Sequence, residues 1–145
     1  MAEYNAPATL ASGAYTFLFN RSSDVGFHDP DKCSGLDMAQ VRATIEDKPR
    51  ASGGIVYDAL LGPRHIVLAG TIVTSTLATR NLFEKNLITI LTYMLTNNGT
   101  YQWLSSDGIT RTVTGRCEIG AEFPGKWLKS YVFGLVCADP TLVET

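Results

Sequence analysis

Six consecutive residues, His28-Asp29-Pro30-Asp31-Lys32-Cys33, bring together an imidazole, two carboxylates and a thiol, all groups that ligate metals. Asp-Pro-Asp is also ordinary turn chemistry, and Lys32 would repel a cation, so no metal site is expected there. Acid–base or triad chemistry built on histidine would have to use His28 or His65, the only two in the chain. His65 follows Arg64 at the head of an apolar run and reads as a plain surface or core-edge histidine. Cys33, Cys117 and Cys137 lack metal spacing and read as small buried hydrophobes. The chain has no phosphate-binding glycine loop, no dinucleotide fingerprint and no nucleophile elbow. No catalytic residue, cofactor or metal is therefore expected, and the chain does not read as an enzyme. Trp103, Trp127 and Tyr131, with His28 and Asp31, could line a ligand groove; buried aromatics equally fill cores and anchor interfaces.

The chain that must position these groups has 145 residues, enough for one domain spanning 1–145. Hydrophobic residues at 45% against 18% charged argue for a packed core rather than disorder. Twelve basic and fourteen acidic residues leave a net charge of −2, and the basic residues are scattered. That balance disfavours a dedicated nucleic-acid binder, whose affinity comes from phosphate neutralisation by a basic face. No window offers the roughly 18 unbroken apolar residues of a membrane span, and the N-terminal segment does not read as a signal peptide.

The pattern is that of strands around one helix. Gly13 to Phe19 reads as a first strand, and Asn20 to Gly35 as a long polar loop too rich in turn formers to be core. Leu36 to Ile45 alternates as a half-exposed strand, Glu46 to Gly54 reads as an exposed loop or hairpin tip, and Ile55 to Leu61 is short and apolar. Arg64 to Thr74 carries β-branched residues on both faces and is expected to be covered on both sides. From Thr76 to Asn97 the period changes: Phe83, Leu87, Ile90 or Leu91, and Met94 form a helical stripe. Ser75 or Thr76 can cap its start, and Asn97-Asn98-Gly99 reads as a left-handed stop. Leu77, Leu82, Ile88, Tyr93 and Leu95 widen the stripe beyond one face. Thr100 to Leu104, a turn at Ser105-Ser106-Asp107-Gly108, Ile109 to Ile119 and Leu128 to Ala138 complete a meander. Tyr131, Phe133, Leu135 and Cys137 share one face of the last strand.

This order resembles a known family. Its marks are R-H-I-V-L-A-G-T-I-V (Arg64–Val73), the long helix, N-N-G-T-Y (Asn97–Tyr101), a hairpin, and V-F-G-L-V-C-A-D-P (Val132–Pro140). Together they are similar to the N-terminal ring-forming domain of phage distal tail proteins over roughly Gly53 to Pro140, with Gly13 to Ile45 as the preceding strands. The resemblance implies a mainly β (α+β) fold, a tail-tube-like β-sandwich or split barrel with one flanking helix at about 76–97. It implies a virion protein of the phage tail tip, synthesised in the bacterial cytoplasm: a hexameric ring continuing the tail tube, joined to tube and tip or hub proteins. DNA would pass through its lumen without specific binding. Many members carry a galectin-like domain after the Asp-Pro, and none is expected here. Arg50, Tyr57, Arg64 and Arg80 are expected at subunit contacts, with the Asn20–Gly35 and Glu46–Gly54 segments as arms toward neighbours. A tail-tube subunit or tail terminator of the same fold is the near alternative; a monomeric β-sandwich binding a ligand through the aromatic residues above is the alternative of another class.

Overall fold

The computed structural model describes residues 3–37, 41–48, 52–125 and 129–145, with the backbone alone described at 42, 44–47 and 55–60. The chain is mainly β with one helix. Its strands are β1 (Ala8–Ser12), β2 (Tyr15–Phe19), β3 (Gly26–His28), β4 (Val41–Asp47), β5 (Gly54–Leu61), β6 (Arg64–Ile72), β7 (Gly99–Leu104), β8 (Thr110–Glu122), β9 (Ser130–Cys137) and β10 (Val143–Glu144). Helix α1 (Leu77–Tyr93) lies between β6 and β7. Seven strands run in the order β2-β1-β7-β8-β9-β6-β3, with β10 paired beside β8 as the eighth member. The backbone N–H of Asn20, just past β2, donates to Gly26 O in β3 at 3.0 Å, which brings the two edges together and nearly closes the sheet into a barrel. Among the described residues, strands β4 and β5 pair only with each other, outside this sheet.

The core fills the inside of the barrel and is capped by α1. Leu10, Phe19, Leu68, Tyr101, Trp103, Tyr131 and Phe133 supply its largest buried side chains from the sheet. Phe83, Leu87, Ile90, Leu91 and Met94 enter from the helix, so the predicted stripe is the buried one. The helix starts where its cap chemistry says: Thr76 is extended and its side chain accepts the Thr79 N–H. Its end differs from expectation. The last turn closes at Met94, Asn97 Nδ2 donates to Tyr93 O at 3.0 Å, and Gly99 is already strand, so no left-handed stop forms. Instead the Met94 carbonyl accepts Cys117 N–H at 3.1 Å, which hands the helix terminus to β8.

Three strands escape the sequence pattern. In β1, Leu10 alternates inward with only the small Ala8 and Ser12, too weak a hydrophobic signal to read. β3 and the single 3-10 turn Pro30–Lys32 lie within Asn20–Gly35, which folds back on its own body and does not extend as an arm. β10 is two residues long. β6 buries Ile66, Leu68 and Ile72 on one face; on the other Ala69 is buried and Val67 half-buried, while His65 and Thr71 are exposed, so the expected second cover reaches only the middle of the strand. The pairing of β8 with β9 slips on both sides of Ile119, leaving Ile119 exposed and not in line with buried Val113. The hairpin at Ser105–Gly108 forms as expected, with Gly108 at φ +81°.

Candidate assembly surfaces

The β4–β5 arm is the first surface. Its antiparallel register runs from Val41↔Leu61 to Asp47↔Gly54, and Lys48 N–H donates to Gly53 O at 3.3 Å across the tip. Pairing jumps from Thr44↔Asp58 to Ile45↔Val56, so Tyr57 sits at a bulge with no partner across the ribbon. A two-stranded ribbon is marginal by itself in water, and among the described residues no third strand pairs with either of its edges. Val41 and Leu61 are exposed at its base.

Arg64 belongs to the base of this arm. The sequence suggests a subunit contact; the structure gives the guanidinium its partners within its own chain. Arg64 is 4% exposed. Its Nη1 donates to Gly35 O at 2.7 Å and to Asp37 O, while Nε and Nη2 donate to Pro140 O at 3.1 and 2.8 Å. Arg80 lies on the first turn of α1, partly exposed. Arg50 lies outside the described residues, as does part of the Glu46–Gly54 tip around it. Of the four predicted contact residues, Tyr57 is therefore on the arm, Arg64 is beneath it and Arg80 is on the helix.

The helix supplies the second surface. Leu77, Leu82, Ile88 and Leu95 are exposed on its outer side. Shallow grooves flank it: one of about 250 Å³ against β2, edged by Leu18, Val25 and Leu82, and one of about 270 Å³ against β8, edged by Ile88, Leu95 and Ala121. Glu84 and Lys129 form an ion pair at 3.3 Å that fastens the helix to the chain entering β9.

The residues with ligand chemistry are engaged elsewhere. His28 is 5% exposed, its Nδ1 lies 2.6 Å from the Tyr131 hydroxyl, and burial lowers its pKa to about 3. Burial pushes the Tyr101 and Tyr131 hydroxyls far above the ordinary phenol range, so both stay protonated. Asp29 caps the 3-10 turn by accepting Asp31 N–H and pairs with Lys32 at 3.8 Å. Cys33 Sγ donates to Ala69 O at 3.2 Å and accepts Ala69 N–H at 3.3 Å, and burial raises its thiol pKa. These are packing and turn roles. Trp103 and Tyr131 are 2% and 1% exposed and so line no groove; Trp127 lies outside the described residues. A concavity of about 570 Å³ lies over β8 and β9 near Arg116 and Asp139. Arg116 Nε donates to Asn98 Oδ1 at 3.0 Å, and Thr141 N–H holds the Asp139 carboxyl below its usual range.

Sequence reasoning missed the side chains that organise the loops. Asn20, the one described non-glycine residue at positive φ, donates through Nδ2 to Tyr4 O and Ala6 O and accepts His28 N–H. Arg111 joins Ser105, Asp107 and Glu144. The only signal for Asn20 was its place at a strand end before a turn-rich run, since asparagine tolerates the left-handed region.

No protein-family model matches the chain, and no curated protein matches it. Among solved structures, the Dit protein of phage SPP1, described as a paradigm of hub adsorption apparatus in phages infecting Gram-positive bacteria, superposes with a TM-score of 0.63 at 14% identity. The alignment covers 93% of this chain and 51% of the Dit chain, so this chain spans about half the length of that neighbour. The chain thus shares the fold of a phage tail hub protein.

Proposed function

We propose that this protein is a structural subunit of a phage tail, and that copies of it form a closed ring at the distal end of the tail tube. The observation that carries this reading is the Dit likeness across 93% of the chain. The arm and the apolar outer side of α1 support it. A ring built from heterologous contacts needs two different surfaces on each copy, and this chain offers an unpaired ribbon and a grooved helix face. The work of such a ring is geometric: it joins tube to tip proteins and leaves a passage for DNA. A lumen that does not retain DNA must avoid a basic lining, and a charge of −2 per copy suits that. The buried positions of Trp103, Tyr131 and His28 speak against the ligand-groove alternative.

The test is solution mass by light scattering across a hundredfold concentration range, with negative-stain images of the same sample. Closed rings near six times the chain mass are expected. Open-ended tubes would turn the reading to a tube subunit, and a monomer throughout would overturn a self-assembling ring.

A further inference from the structure

We infer that Arg64 is a coupling residue, tying the base of the β4–β5 arm to the connection that leaves β9, so that loosening one loosens the other. Three passes of the chain meet at this guanidinium. Gly35 and Asp37 lie on the outward pass toward the arm, Arg64 itself is where the chain returns, and Pro140 follows β9 on the way to β10. All three acceptor carbonyls lie outside the strands. A planar fork of five donors can bridge them at once, which a lysine ammonium on one stem cannot do with the same directions.

The outward pass is seated closely against β6. Ser34 exchanges hydrogen bonds with Val67 at 2.9 and 3.0 Å, and Leu36 is buried with its N–H donating to the Tyr4 hydroxyl. Gly35 has φ +100°, and a Cβ there would come within 2.1 Å of His65 O, so no other residue fits without moving this segment. Withdrawing the Pro140 carbonyl would leave Nε and Nη2 buried without acceptors. The guanidinium would then turn toward water and release Gly35 and Asp37. Linkage makes the effect reciprocal: disturbing the outward pass weakens the hold on Pro140. The inference rests on one copy of the chain and stands whether or not rings form.

Hydrogen exchange read by mass spectrometry on the full chain tests it through a double-mutant cycle. Gly35→Ala is expected to speed exchange at Thr141, whose N–H donates to Asp139 Oδ1 at 3.0 Å, at least tenfold, while Leu68 and Phe133 stay protected. Arg64→Met is expected to speed both segments, and adding Gly35→Ala to it should produce no further rise at Thr141. Arg64→Lys keeps the charge, loses the fork and serves in the cycle should the methionine variant not fold. Wild-type exchange at Thr141 in Gly35→Ala, or a Gly35→Ala effect undiminished when Arg64 is replaced, overturns the coupling.

Discussion

His28 stands among Phe19, Tyr101 and Tyr131, with ring centroids 4.6, 6.1 and 5.7 Å away. No negative charge faces it there, because both tyrosines stay protonated. The unfolded imidazole binds a proton near pH 6.5, whereas the folded one resists until about pH 3. Stability from His28 is thus complete above the unfolded value and falls as pH drops below it, by about 1.4 kcal/mol per pH unit until the folded pKa is reached. Urea midpoints should decline between pH 7 and pH 4.5, and His28→Gln should flatten that decline while lowering stability at pH 7. Tyr131→Phe should destabilise by about 1–3 kcal/mol, because it leaves His28 Nδ1 buried without its partner. The sequence offered both residues as ligand candidates, since residue type does not reveal burial; the contacts that bury them come from strands more than a hundred residues apart.

Among the elements, those with a sustained period were legible. The 3.6-residue stripe of α1 and the alternation of Tyr131, Phe133, Leu135 and Cys137 in β9 each mark one face toward one core. Leu87 is fully buried at the centre of that stripe, and Leu87→Ala should cost roughly 2–5 kcal/mol in chemical denaturation. Illegible elements are those whose residues are set by a neighbour. β3 has no hydrophobic pattern of its own; Gly26 and His28 face inward because β6 pairs with them from Gly70 to Ile72. A Cβ on Gly70 would meet Phe27 O at 1.9 Å, so Gly70→Ala should detach β3 from β6. The observable is rapid exchange at Asp29, whose N–H donates to Ala69 O, with β9 still protected. The helix end misled for a similar reason: Asn97-Asn98-Gly99 has stop chemistry, but pairing of Gly99 with Gly115 in β8 draws that glycine into a strand.

For the whole molecule, strands around one helix were legible in the pattern, a sandwich or split barrel was implied by the resemblance, and Glu46–Gly54 was legible as an exposed loop or hairpin tip, while the separateness of the arm from the main sheet was not. Strand alternation tells which faces are apolar but not which strand lies beside which. Replacing the arm between Asp37 and Arg64 with a short flexible linker should leave thermal unfolding of the monomer within a few degrees. Under the ring reading the same change should abolish particles of ring mass in light scattering. An arm that served only its own chain would give the opposite pattern, a destabilised core with assembly unchanged.

The pairing of β1 with β7 joins Ala8 to Trp103. During synthesis β1 leaves the ribosome about ninety residues ahead of the strand it must pair with. At roughly 5–20 residues per second, that is a wait of about 5–20 s. Through this interval β1 has only β2 beside it, and such a hairpin is marginal without further strands. Assembly of the barrel therefore waits on strands distant in the chain. Its first strand stays available to other chains until β7 has been made, and a crowded polysome is where this fold is most exposed to pairing with the wrong copy.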